Sequence, residues 1–167
     1  MDAIELLTRQ HREIERLFAR VEGGRGTDQH SFFLQLARAL RLHTFLEEQI
    51  FYPAARKSAE DLVNDSFEDH DTMKRLLTDA EDLGTEHQSF SVQLTDLREA
   101  VQDHLRSEEQ DLFPQVRKAL GADELETMGS DMESSAEEWE QEDTGTTEQL
   151  EPQPQTLVEP PANSLDR

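Results

Sequence analysis

The stretch His43-Thr-Phe-Leu-Glu47-Glu48-Gln49-Ile-Phe-Tyr52-Pro53 recurs as His104-Leu-Arg-Ser-Glu108-Glu109-Gln110-Asp-Leu-Phe113-Pro114. In each copy a histidine and a glutamate stand one helical turn apart, so an α-helix would place them on one face. The residues around both copies keep steps of three and four. Leu36, Leu40, His43, Glu47, Ile50 and Ala54 form one row, and Phe90, Leu94, Leu97, Val101, His104, Glu108, Leu112 and Val116 form another. Two further rows precede the copies: Ile4, Leu7, His11, Ile14, Phe18 and Val21, then Val63, Phe67, His70, Met73, Leu77 and Ala80. Each row marks an amphipathic helix with one buried stripe.

Punctuation falls between the rows. Gly23-Gly24-Arg25-Gly26 ends the first helix and Thr27 can cap the second; Ser58, with Asp61 three residues on, can cap the third. Gly84-Thr85 repeats the break before the fourth helix, and Gly121 closes it. Pro53 and Pro114 fall in the last turns of helices two and four, where each should kink or fray the helix. The duplication extends beyond the opening stretch, because His11-x4-Arg16-Leu17 matches His70-x4-Arg75-Leu76. Two copies of one helical hairpin, joined by short connections, predict an all-α, up-down-up-down four-helix bundle over residues 1–120.

Residues 121–140 read as a short fifth helix packed on the bundle, with Leu125, Met128, Met132 and Trp139 as its contacts. From Gln141 to Arg167 the chain is acidic and carries Pro152, Pro154, Pro160 and Pro161, which predicts a disordered, solubilising tail. Charge divides the same way. Residues 1–120 hold 24 acidic and 15 basic side chains, whereas 121–167 hold 14 acidic ones against Arg167 alone.

The total of −22 opposes nucleic acid or an anionic membrane surface as partner. No apolar run is long enough for a membrane span. The absence of cysteine excludes disulfides and thiolate-bound metal sites. With no basic region before the first apolar residues, a cytoplasmic protein, monomeric or weakly dimeric, is expected.

His11, His43, His70 and His104 occupy positions where a bundle calls for Leu or Ile, and Glu47 and Glu108 do the same. Burying a carboxylate is costly unless it is paired or bound to metal, and no Lys or Arg shares these stripes. His11 and His70 lie about 12 to 14 residues before their loops and His43 and His104 about 16 to 18 after them, level to within about a turn, so all six groups converge at mid-bundle. Four imidazoles and two carboxylates able to bridge suit two metal ions. Open nitrogen–oxygen coordination favours iron, then manganese, over closed tetrahedral zinc. Glu48 and Glu109 are expected to face solvent or a neighbouring helix, with support of the ligands as an alternative. Tyr52 is expected to pack, with a role beside the metal as its alternative. His30 and His87 read as surface residues.

The arrangement His11, His43-x3-Glu47, His70, His104-x3-Glu108 resembles the hemerythrin-like, or HHE cation-binding, family over residues 1–120. A ferritin-like site would instead use Glu-x-x-His pairs, and no Glu lies three residues before any histidine. The resemblance implies an oxo- or hydroxo-bridged di-iron centre. Oxygen-carrying members have a second histidine one turn after the first on helix three and His-x4-Asp on helix four; here the first of these positions holds Lys74, and the helix-four carboxylate is Glu108, in His-x3-Glu spacing. A missing nitrogen ligand turns the expectation from reversible oxygen carriage to binding, sensing or reaction with dioxygen, peroxide or nitric oxide. Peroxidase- or catalase-like turnover and iron storage or donation for iron-centre repair are the alternatives.

Overall fold

The computed structural model describes the backbone of residues 1–148 and side chains up to residue 143. Helix α1, Ala3–Gly23, and α2, Gly26–Leu46, form the first hairpin. A π-helical turn, Glu47–Phe51, carries α2 directly into α3, Tyr52–Leu83. The true corner lies inside α3, at Ala59 (φ −146°, ψ 49°). Helix α4, Phe90–Ser107, continues through a second π-helical turn, Glu108–Leu112, into α5, Phe113–Ala119. These segments make the four rods of the bundle, with α1 packed on α2 and α3 on α4. The last helix, α6, Ala122–Glu148, lies across α1 and α2.

The core has two apolar halves with a polar layer between them. One half gathers Leu7, Leu46, Phe51, Val63, Phe113 and Met132; the other gathers Ile14, Phe18, Leu36, Leu77, Leu97 and Val101. His11 falls between Leu7 and Ile14 on the α1 stripe, and all four stripe histidines, with Glu47 and Glu108, are buried in that layer. Dispersion and transfer free energy hold the two ends; the middle is polar and must be satisfied chemically.

Several local expectations need correction. Thr27 does not cap α2: the N-cap is Arg25, which makes no side-chain cap hydrogen bond. Ser58 does not cap a helix either, because its hydroxyl donates to Ala55 O at 3.2 Å. Gln115 Nε2 instead donates to Ser58 O at 2.8 Å, satisfying a carbonyl at the corner. The fourth helix begins at Phe90, after a turn that contains Gly84 at φ 78° and the exposed His87.

Pro53 and Pro114 break nothing: helix continues past both. The π turn just before each proline widens the backbone where its ring would meet the preceding turn. That inserted residue also shifts the stripe of the second rod by one. Phe51 and Ala55 are fully buried where Ile50 and Ala54 were expected.

The N-terminus of α1 carries a capping box that the reading overlooked. Asp2 Oδ1 accepts from Glu5 N at 2.8 Å, and Glu5 Oε2 accepts from Asp2 N at 3.1 Å. Leu125, Met128 and Met132 of α6 are buried, and Trp139 lies beneath the Arg38 guanidinium at 5.7 Å. The helix runs on past residue 140, helped by an ion pair from Arg38 to Asp143 at 3.4 Å. The remainder of the expected tail, 149–167, lies outside the described residues. No helix among the described residues is long and apolar enough to cross a membrane.

Candidate metal centre

Each His-x3-Glu pair lies in the middle of a rod, where α2 and α4 pass into their π turns. His43 Nε2 lies 3.3 Å from Glu47 Oε2, and His104 Nε2 lies 3.6 Å from Glu108 Oε2. The lone histidines of α1 and α3 complete two imidazole pairs. His11 and His43 have ring centroids 4.9 Å apart, and His70 and His104 4.7 Å apart. Both carboxylates lie between the pairs. Glu47 Oε2 is 3.1 Å from His70 Nε2 as well as 3.3 Å from His43 Nε2. Glu108 Oε2 is 3.3 Å from His11 Nε2 and 3.6 Å from His104 Nε2.

Two groups able to hold a metal ion result: His11, His43, Glu47 and Glu108, and Glu47, His70 and His104. The structure brings together all six residues expected from the sequence. Four of their buried atoms, His11 Nε2, His43 Nε2, Glu47 Oε1 and Glu108 Oε2, make no hydrogen bond. Orphaned polar atoms of this kind are rare in interiors and costly, and here they face one another. A cation among them would resolve the cost, so the residues fit a metal centre.

The outer nitrogen of every imidazole is held. His11 Nδ1 lies 2.8 Å from Glu109 Oε1, and His70 Nδ1 lies 2.8 Å from Glu48 Oε1. His43 Nδ1 lies 3.0 Å from Gln10 Oε1, and His104 Nδ1 lies 3.4 Å from Asp69 Oδ2. An acceptor at Nδ1 places the ring proton there and leaves the Nε2 lone pair turned to the centre, the form a metal requires.

The support follows the internal repeat. The residue before each lone histidine, Gln10 or Asp69, holds the histidine of a His-x3-Glu pair. The residue after each ligand-type glutamate, Glu48 or Glu109, holds a lone histidine. Glu48 and Glu109 thus take the supporting place that was the lesser expectation. Gln10 and Asp69 were missed, although their matching positions before His11 and His70 were a usable signal.

Lys74 and Arg12 anchor this outer ring. Lys74 Nζ donates to Glu48 Oε1 at 2.6 Å, and Arg12 to Glu109 Oε2 at 2.6 Å. Hydrogen bonds from His70 and Lys74 hold the Glu48 carboxyl below its usual range. Burial pushes His43 down to about 3. Burial opposes the charged form of His104 too, but Glu108, Asp69 and Glu47 push it up to about 10. Burial and the Glu47 charge raise Glu108.

Tyr52 was expected mainly to pack. Its hydroxyl lies inside the layer, 2.8 Å from Glu108 Oε1, 3.0 Å from His70 Nε2 and 3.2 Å from Glu47 Oε2. The π turn is the reason. Five residues separate Glu47 and Tyr52, too many for one face of an α-helix, but the Tyr52 amide bonds to Glu47 O across the wider turn. The counterpart in the second half, Phe113, has no hydroxyl and stacks on His11 with centroids 5.5 Å apart.

The profile of the hemerythrin HHE cation-binding domain matches residues 2–116. The crystal structure of a hemerythrin HHE cation-binding domain-containing protein from Mycobacterium kansasii superposes with a TM-score of 0.82 at 20% identity, covering 90% of this chain and 94% of that one. A curated relative named DNA nickase, from Nostoc sp. (strain PCC 7120 / SAG 25.82 / UTEX 2576), is 23% identical over 137 residues. That alignment takes in 81% of this chain but only 39% of the relative's length. The domain match spans all four rods and every residue of the histidine–glutamate layer, and the chain belongs to the hemerythrin HHE cation-binding domain family.

Proposed function

We propose that the polar layer holds two iron ions and that the chain binds and reacts with small oxidants, namely dioxygen, peroxide or nitric oxide. The placement of Glu47 and Glu108 between two imidazole pairs carries this reading, because each carboxylate is in reach of both groups. His11 and His43 would hold one ion and His70 and His104 the other, with the two glutamates shared. Nitrogen and oxygen donors with room left open suit iron, and manganese second. When bound, the iron pair would supply redox chemistry and open positions for a small ligand.

The chain's own residues set the rest. The outer acceptors hold each imidazole as a neutral donor, and the apolar layers on both sides exclude bulk water. Tyr52 offers the layer a proton at its hydroxyl, held there by burial and by the charges of Glu47 and Glu108, which raise its pKa well above the ordinary value. That hydroxyl favours a second reading, peroxidase-like turnover, in which Tyr52 hands a proton to reduced oxygen. The DNA-nicking name of the Nostoc relative does not enter this reading, since a chain of charge −22 repels a polyanion.

Metal content and the visible spectrum before and after peroxide test the proposal. About two irons per chain, lost in His104→Ala and Glu108→Ala, are expected. Fewer than about one iron per chain, unchanged by either substitution, would overturn it. Catalytic disappearance of peroxide would favour the enzyme reading, and a spectral shift without turnover would favour binding alone.

A further inference from the structure

Two surface grooves flank the polar layer, one over each outer glutamate. The groove between α2 and α3 encloses about 290 Å³ and is lined by Leu40, Phe45, Met73 and Leu77, with Glu48 and Lys74 also in its wall. Its partner between α1 and α4 encloses about 240 Å³ over Glu109, and its walls are Glu15, Gln102, Leu105, Arg106 and Gln110. The grooves are related by the internal repeat but differ in chemistry: the first has four apolar side chains beside Arg41, Glu48 and Lys74, and the second has one, Leu105. In the first, Thr44 and Met73 are buried, and they flank His43 and His70 in the chain at one and three residues' distance. Glu48 lines this groove and its Oε1 lies 2.8 Å from His70 Nδ1, so a single side chain links the groove to that histidine.

We infer that the apolar α2–α3 groove is the entrance by which a small uncharged oxidant reaches the His70–His104 side of the layer, and that Lys74 sets its width. This rests on the oxidant-binding function proposed above. A diatomic molecule partitions into an apolar channel more readily than water or an ion does, because nothing in it must be desolvated. Lys74 extends from α3 to Glu48 at the site end of the groove, where Glu48 in turn holds His70. It is half exposed, so its side chain can be enlarged without repacking the core. The second groove has Leu105 as its single apolar wall residue among polar and charged ones, and the preference there is weaker. Tyr52 lies on the same side, with its hydroxyl 3.0 Å from His70 Nε2, so a molecule arriving there meets a hydroxyl.

The test uses the full chain loaded with ferrous iron and nitric oxide as the probe, mixed by stopped flow. Lys74→Trp fills the groove, Arg41→Met removes a charge from the same groove wall without touching the outer ring, and Arg106→Trp fills the opposite groove. Iron per chain and the ligand-free spectrum are recorded for each, so failure to hold iron, which would speak against the metal centre itself, is distinguishable from altered access. At unchanged iron content, Lys74→Trp should slow association about tenfold, with Arg41→Met and Arg106→Trp within about twofold of the parent. Equal rates in all four proteins, or slowing by Arg106→Trp alone, would overturn the assignment. Slowing by Arg41→Met as much as by Lys74→Trp would also overturn it, since the charge of the groove and not its width would then set the rate.

Discussion

The Tyr52 hydroxyl donates to Glu108 Oε1 at 2.8 Å, tying the second rod of the bundle to the fourth through the centre of the polar layer. Both groups are buried, so neither can turn to water in compensation. Tyr52→Phe keeps the ring contacts with Phe67 and His70 and removes only the donor. The expected cost in the metal-free chain is about 1–3 kcal/mol, the penalty of an unpaired buried acceptor. Urea unfolding followed by helical circular dichroism measures it. A loss under a few tenths of a kcal/mol would show that the hydroxyl is not held as described.

Glu48→Gln and Glu109→Gln should weaken metal binding without emptying the site. Each carboxylate fixes the Nδ1 proton of one lone histidine. Loss of such an outer partner lowers metal affinity by about 10–100-fold. Gln10→Ala, which frees His43, should act in the same direction. Competition with a chelator of known affinity reads all three.

Metal-free stability should peak near neutrality. His104, raised from 6.5 to about 10, retains a proton in the folded state that the unfolded chain releases. Its contribution is complete below pH 6.5 and is lost as pH rises through that window. His43, lowered from 6.5 to about 3, acts oppositely: the unfolded chain takes up a proton that the folded one refuses, so stability falls on acidification below 6.5. Since iron must displace the protons, its stabilising effect should grow as pH rises from about 6 to 8. Melting temperatures across pH, with and without ferrous iron, give both trends. A metal-free profile rising steadily to pH 9 would contradict the His104 assignment.

Gly129 is where α6 meets the N-terminus. A Cβ at this position would lie 2.2 Å from Met1 O and 2.9 Å from Asp2 C, both main-chain atoms. Gly129→Ala must therefore displace α6 or unseat the capping box at Asp2. The expected cost is about 1–3 kcal/mol, from overpacking against backbone. Hydrogen exchange should show protection lost first in α6 and the first turn of α1. Uniform protection in both would place the contact elsewhere.

The duplicated His-x3-Glu stretches and the three-and-four rows were enough to establish four amphipathic helices and six polar groups meeting at one depth. That information is local: helical periodicity fixes which residues share a face, and equal distance from a short loop fixes their level. Lys74 likewise marked the asymmetry between the halves.

What the periodicity could not contain was the pair of π turns. An inserted residue leaves no mark on composition, yet it moved burial from Ile50 and Ala54 to Phe51 and Ala55 and brought Tyr52 into the layer. The outer ring of Gln10, Glu48, Asp69 and Glu109 was equally beyond a helix-by-helix reading, because each bond joins residues on different rods. The sequence determined which side chains point inward. Only the packing of the rods decided which of them touch, since contact across helices depends on their relative rotation and not on any single helix's period.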